Sequence, residues 1–158
     1  MIIRGGHNID PRAIEDAALG FPGVALAAAV GRPDAYAGEV PMLFVSVQPG
    51  VHVDPNALAD FVRERIMEPP ARPKAVSVIG EMPVTPVGKI FKPKLREIAA
   101  GDAARDLLAA EGLGNDVSVE AITDPSRGLY LRIKATPDKA VTAQRLLQKF
   151  PVKIELEA

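Results

Sequence analysis

Apolar positions along the chain switch repeatedly between helical and extended spacing. Ile14, Ala17 and Ala18 recur at helical intervals behind Asp10-Pro11, an N-cap followed by proline at the first helical position. Gly20 and Pro22 close that helix. Residues 24–30 form an unbroken apolar run closed by Gly31, Arg32 and Pro33, the pattern of a strand buried on both faces. Residues 40–47 predict a second strand, with a polar loop from Arg32 to Glu39 between the two. Asp54-Pro55 repeats the cap-and-proline signal before Leu58, Phe61, Val62 and Ile66, which share one helical stripe. Pro69, Pro70 and Pro73 make a stiff connector to a short third strand at 75–79. A turn-rich passage, 82–88, then ends at Lys89. Residues 93–113 read as helix, with a break expected near Gly101.

Beyond Gly114 the pattern becomes strictly alternating. Val117, Val119 and Ala121 alternate with Ser118 and Glu120. After the turn Asp124-Pro125-Ser126-Arg127-Gly128, Leu129, Leu131 and Ile133 alternate with Tyr130, Arg132 and Lys134, so a hairpin with one buried face is expected. Thr136-Pro137 predicts a third capped helix carrying Ala140, Ala143, Leu147 and Phe150, and Val152, Ile154 and Leu156 predict a last strand. The fold class is α+β: a small sheet with packed helices over residues 1–100, then a helical linker and a strand–strand–helix–strand extension over 101–158.

Composition narrows the chemistry. The chain of 158 residues is 47% apolar, enough to bury a core. Its net charge of −1 offers no bulk attraction to nucleic acid or anionic membrane. With no cysteine, thiol catalysis and thiolate metal sites are excluded, and His7 and His52 lie far apart, so no metal site is expected. No apolar stretch approaches the ~20 residues of a membrane span, and no basic-then-apolar leader opens the chain, which favours a cytoplasmic protein. The chain opens directly on strand-like Met1-Ile2-Ile3, which suggests a piece of a longer polypeptide.

The passage Pro83-Val84-Thr85-Pro86-Val87-Gly88-Lys89-Ile90-Phe91 concentrates the candidate chemistry. Gly88 frees the backbone for a sharp turn just before Lys89, and two prolines stiffen the approach. Such a loop presents one ammonium at its tip, with Ile90 and Phe91 placed to anchor it from behind. A point charge held in this way suits a phosphate or carboxylate. By composition alone, an ordinary surface-turn lysine is the alternative.

This passage resembles the last signature motif of the adenylate-forming enzymes, the superfamily of acyl- and aryl-CoA ligases, luciferases and peptide-synthetase adenylation domains. Pro83, Thr85, Gly88, Lys89, Lys92, Lys94, Leu95 and Arg96 carry the resemblance. Upstream, Ile3-Arg4-Gly5-Gly6-His7-Asn8-Ile9-Asp10-Pro11 is similar to the glycine loop and first helix of the family's carboxy-terminal lid. Val30-Gly31-Arg32-Pro33-Asp34 and Gly38-Glu39-Val40-Pro41 are similar to its core. The resemblance implies a mobile catalytic lid that works with ATP and CoA and a small-molecule carboxylic acid. Lys89 would be the electrostatic clamp during adenylation. Gly5 and Gly6 would let the pantetheine arm of CoA approach the backbone, and Gly88 would shape the lysine loop. Lys92 and Lys94, with Arg96, would either meet CoA phosphates or line a solvated helix face. Magnesium is expected with ATP but not on this chain. His7, His52 and Tyr36 receive no catalytic role.

Two departures from the family pattern bear on function. The large amino-terminal adenylation domain, the expected partner, is absent, so the chain alone should be inactive. Most relatives end near Ala100, which leaves 101–158 without a familiar counterpart. A non-catalytic binding module, or an adenylation domain that loads a carrier protein, are the alternative readings.

Overall fold

The computed structural model describes residues 1–157. Strands β1 (Ile2–Arg4) and β2 (His7–Ile9) lead into α1 (Pro11–Leu19), β3 (Val24–Asp34) and β4 (Gly38–Val47). Then come α2 (Pro55–Arg65), a 3-10 turn at Pro69–Ala71, and β5 (Ala75–Val78). Helix α3 (Lys92–Ala110) connects to β6 (Ser118–Asp124), β7 (Gly128–Lys134), α4 (Pro137–Leu147) and β8 (Lys153–Leu156).

The first sheet runs β2-β1-β4-β3, with β5 parallel to β4 beside Met42 to Val45. Both faces of its centre are covered, which is why β3 reads as an uninterrupted apolar run. Ala27, Ala29, Leu43 and Val45 point toward α1 and α2, where they meet Ile14, Ala18, Leu58 and Val62. Ala28, Val30, Met42 and Phe44 point the other way, to Leu95 and Ala99 of α3. The small side chains of β3 let helices approach closely from both sides. Asp10 and Asp54 cap α1 and α2, accepting from Arg12 N–H at 2.9 Å and Asn56 N–H at 3.0 Å, each with proline at the first helical position. The Arg12 side chain also holds the Asp10 carboxyl well below its ordinary range, at about 2.

Three local expectations are corrected. The polar loop from Arg32 to Glu39 is mostly strand: β3 and β4 pair out to Asp34 opposite Gly38, leaving a tight turn at 35–37. Asp34 Oδ1 accepts from the Tyr36 and Ala37 N–H groups at 2.9 and 2.8 Å and so replaces the polar loop with a locked hairpin. Thr136 precedes α4 in extended conformation but gives no side-chain cap; its hydroxyl donates to Asp138 at 2.8 Å instead. Helix α3 does not break at Gly101, which is buried within it. A mid-helix glycine costs ~1 kcal/mol, and α3 offsets this by packing on two sides. Leu95 and Ala99 face the first sheet, while Ala100, Ala103, Ala104 and Leu108 face the extension. The Arg105 guanidinium lies where a Cβ on Gly101 would project, 2.9 Å away.

The extension sheet runs β6-β7-β8, antiparallel then parallel, with α4 as the crossover. Leu131, Ile133, Ala143, Leu147 and Phe150 build its core against α3. It is tied to the first unit by Ala35 packing on that core, by an Arg32–Asp106 ion pair at 2.6 Å, and by Glu97. Glu97 accepts from Thr123 N–H at 2.9 Å and Lys94 at 3.1 Å. Burial works against its ionisation, but these hydrogen bonds outweigh it and hold its carboxyl below the ordinary value of 4.5. A depressed carboxyl stabilises the fold above the unfolded value and loses that contribution as pH falls through the folded one. The Thr123 amide should therefore lose protection from hydrogen exchange as pH drops below 4.5. Glu97→Gln should show reduced protection already at neutral pH, without that acid dependence. Unchanged protection in both cases would remove Glu97 as the tie.

Candidate functional site

The passage after β5 folds into a short hairpin of its own. Val84 and Ile90 form an antiparallel bridge, and Phe91 N–H donates to Pro83 O at 2.8 Å. At the tip, Gly88 N–H donates to Thr85 O at 2.9 Å, closing a four-residue turn with Pro86 at its second position. Thr85 N–H donates to Lys89 O at 2.7 Å. Gly88 sits at φ +84°, in the left-handed region that ends a three-residue hairpin loop and that other residues rarely adopt. Thr85 supplies one further lock: its hydroxyl oxygen accepts from Lys89 N–H at 3.1 Å. The backbone of Lys89 is thus held on both its polar groups while its side chain is exposed. Among the described residues Lys89 enters no ion pair.

The hairpin is seated by Met82, buried, and Ile90, partly buried, against Phe44 and Leu95. Phe91, expected as a second anchor, is 46% exposed, because its backbone and not its ring closes the hairpin. Val87 at the tip is 82% exposed. Lys92 and Lys94 are both paired with carboxylates, Lys92 to Glu15 of α1 at 2.9 Å and Lys94 to Glu97 at 3.1 Å. Glu15 also accepts from Ala29 N–H at 2.9 Å, so Lys92 helps fasten α3 and α1 to β3. Arg96 is exposed.

Gly5 and Gly6 form the tip of the β1–β2 hairpin, closed by the Arg4–His7 pair, at φ +52° and +86°. Two consecutive positive values are what a two-residue hairpin turn needs. Gly5 N–H donates to Ala37 O at 2.8 Å, binding this tip to the β3–β4 turn, and nothing lies within 4 Å of a Cβ built on either glycine. Two clefts meet here, with Gly5 and Ala37 in the lining of both. One, of about 530 Å³, carries Arg4, His7, Arg63, Arg72 and Lys74 and no acidic side chain. The other, of about 310 Å³, is mainly apolar and lies between the two glycines, Gly38, Glu39 and Pro151 of the extension.

The glycine hairpin and the lysine hairpin do not converge. The first abuts Gly38 at the start of β4, whereas β5 leaves the sheet beside Val45, toward the end of β4. The cationic cleft escaped the sequence reading because its side chains come from positions 4, 63, 72 and 74, with only Arg72-Pro73-Lys74 forming a local signal.

Residues 13–89, which include β3 and β4 and end at Lys89 in the lysine hairpin, match the family described as the AMP-binding enzyme C-terminal domain. The chain belongs to this family. A marinolic acid–CoA ligase from Pseudoalteromonas is 39% identical over 151 residues, 94% of this chain and 23% of that protein. The fold is shared with a Mycobacterium tuberculosis fatty acyl CoA synthetase at a TM-score of 0.59 and 33% identity, over 65% of this chain and 20% of that one. It is shared likewise with ATP-bound MatB from Rhodopseudomonas palustris at 0.59 and 28% identity, over 64% and 20%. The chain thus spans about a fifth of the length of these relatives. The match to the marinolic acid–CoA ligase runs through most of the extension, whereas the matches to the fatty acyl CoA synthetase and to MatB cover about two thirds of the chain. Among the described residues of this C-terminal domain, no helix is long and apolar enough to cross a membrane.

Proposed function

We propose that this chain is the mobile lid of an ATP-dependent acyl-CoA synthetase that activates a fatty or related carboxylic acid through an acyl-adenylate. The observation that carries the reading is Lys89: an exposed ammonium, in no ion pair among the described residues, on a backbone locked by Thr85 and Gly88. In the first half-reaction a carboxylate oxygen attacks the α-phosphorus of ATP, the bond to the departing pyrophosphate breaks, and acyl-adenylate remains. Lys89 holds the carboxylate and the phosphoryl oxygens in line by charge, serving as neither nucleophile nor base. In the second, the CoA thiol attacks the adenylate carbonyl and AMP leaves. The glycine hairpin, open to solvent at the other end of β4, lets the pantetheine arm run along its backbone, and the cationic cleft receives the CoA phosphates. The separation of the two hairpins fits a lid that turns a different face to the large domain for each step. Lys92 and Lys94, engaged with Glu15 and Glu97, serve as structural ties on this reading.

The large domain supplies the acyl pocket and most of the ATP site, and the apolar Val87 at the hairpin tip is covered when it docks. Incubated with acid, ATP and CoA, the isolated chain should release no AMP. Added in excess to the separately prepared large domain, it should raise that domain's adenylation rate, measured as pyrophosphate release. The same chain carrying Lys89→Met should not. Equal stimulation by both chains, or by neither, would overturn the assignment.

A further inference from the structure

The apolar cleft joins two parts of the chain that are distant in sequence, the glycine hairpin and Pro151 in the corner between α4 and β8. That corner is held firmly. Phe150 on one side is buried in the extension core, Val152 on the other packs against it, and Phe150 N–H donates to Leu147 O at 3.0 Å. Proline itself fixes φ. Pro151 is exposed, so it projects from the core as a rigid wall. The extension is set against the hairpins through Ala35, which packs on its core, and Ala37 of the same turn accepts from Gly5 N–H.

We propose that Pro151 is the extension's contribution to the thiol-acceptor site, a specificity-determining wall of the cleft for the pantetheine arm, and that the acceptor is CoA. This rests on the assignment of the glycine hairpin to that arm. The occupant is argued from the two clefts that meet at Gly5 and Ala37. A ligand filling both has a slender uncharged arm at one end and a strongly anionic group at the other. The cationic cleft offers Arg4, Arg72 and Lys74, with Arg63 paired to Asp60 at 3.2 Å and no acidic side chain in the lining itself. The diphosphate and 3′-phosphate of CoA match that charge, whereas a carrier-borne arm brings a single phosphodiester.

The test uses the complete enzyme containing this chain, with the two half-reactions assayed separately. Pro151→Trp should raise KM for CoA in thioester formation from supplied acyl-adenylate by about tenfold, the low end for a misfit in a shaped cleft. Adenylation and the thioester kcat should stay near their original values. An unchanged KM, while Gly6→Leu still impairs the thioester step, would overturn the role of Pro151 and leave the glycine assignment standing. No effect from either variant would remove both. A raised KM for a phosphopantetheinyl carrier protein, but not for CoA, would overturn the choice of acceptor. A second readout is independent of turnover: desulfo-CoA should slow alkylation of the new thiol in Pro151→Cys by iodoacetamide. Unslowed alkylation at saturating desulfo-CoA would overturn the proposal.

Discussion

In the complete enzyme, Lys89→Ala should cut adenylation on the order of 10²–10³-fold, the usual loss when one preorganised electrostatic contact to a developing charge is removed. Thioester formation from supplied acyl-adenylate and CoA should keep most of its rate. A unit charge ~4 Å from the reacting oxygens is worth roughly 4 kcal/mol at an effective dielectric near 20, before desolvation is counted. That figure is large enough to account for the expected loss without any covalent role. The asymmetry between half-reactions carries the argument. If Lys89 mattered only for stability, both steps would decline together. It is exposed and outside the apolar clusters, so its removal should leave the thermal unfolding of the chain unchanged. Measured by pyrophosphate release for the first step and thioester formation for the second, equal losses would contradict the clamp.

On the proposed reading of Lys89, the loop beneath it matters as well as the charge. The carbonyl of Lys89 accepts from Thr85, its N–H donates to the Thr85 hydroxyl, and Gly88 takes the left-handed conformation that turns the chain between them. Long side chains lose about 2 kcal/mol of rotamer freedom when immobilised. Fixing the backbone beneath the ammonium means that only the side chain itself would remain to be ordered at the proposed reacting centre.

Much of this arrangement was legible before the structure because its signals are local. Asp10-Pro11 and Asp54-Pro55 announce α1 and α2 through a cap and a fixed φ within two residues. The apolar run of β3 reflects burial on both faces, one of the few tertiary facts that a single strand records. The lysine hairpin is legible for the same reason, since proline, threonine and glycine at fixed offsets define its turn. What escaped is non-local. Whether Gly101 breaks α3 depends on packing from two sheets, and the Arg32 to Glu39 stretch looks like loop until Asp34 is seen capping its turn. Thr136 resembles a cap in sequence, yet its hydroxyl is drawn to Asp138. The cationic cleft and the Pro151 wall are assembled from distant segments, with no periodicity to betray them.

Gly6→Leu should show the opposite kinetic pattern to Lys89→Ala: thioester formation reduced on the order of 10²-fold, the scale of a misplaced reactant, with adenylation near its original rate. Two effects must be separated, because Gly6 has φ +86° and any side chain there is strained. A left-handed non-glycine residue costs ~1–2 kcal/mol, which lowers thermal stability and touches both half-reactions equally. Gly6→Ala carries the same strain with almost no bulk, so the difference between the two variants isolates obstruction. Among the described residues a Cβ on Gly6 meets nothing within 4 Å, so the first carbon of a side chain there has room and the added bulk of leucine projects into the cleft. An obstructed thioester step in Gly6→Leu but not in Gly6→Ala would locate the pantetheine arm against this turn. Equal, modest losses in both variants and both half-reactions would reduce the two glycines to a hairpin requirement and place the arm elsewhere.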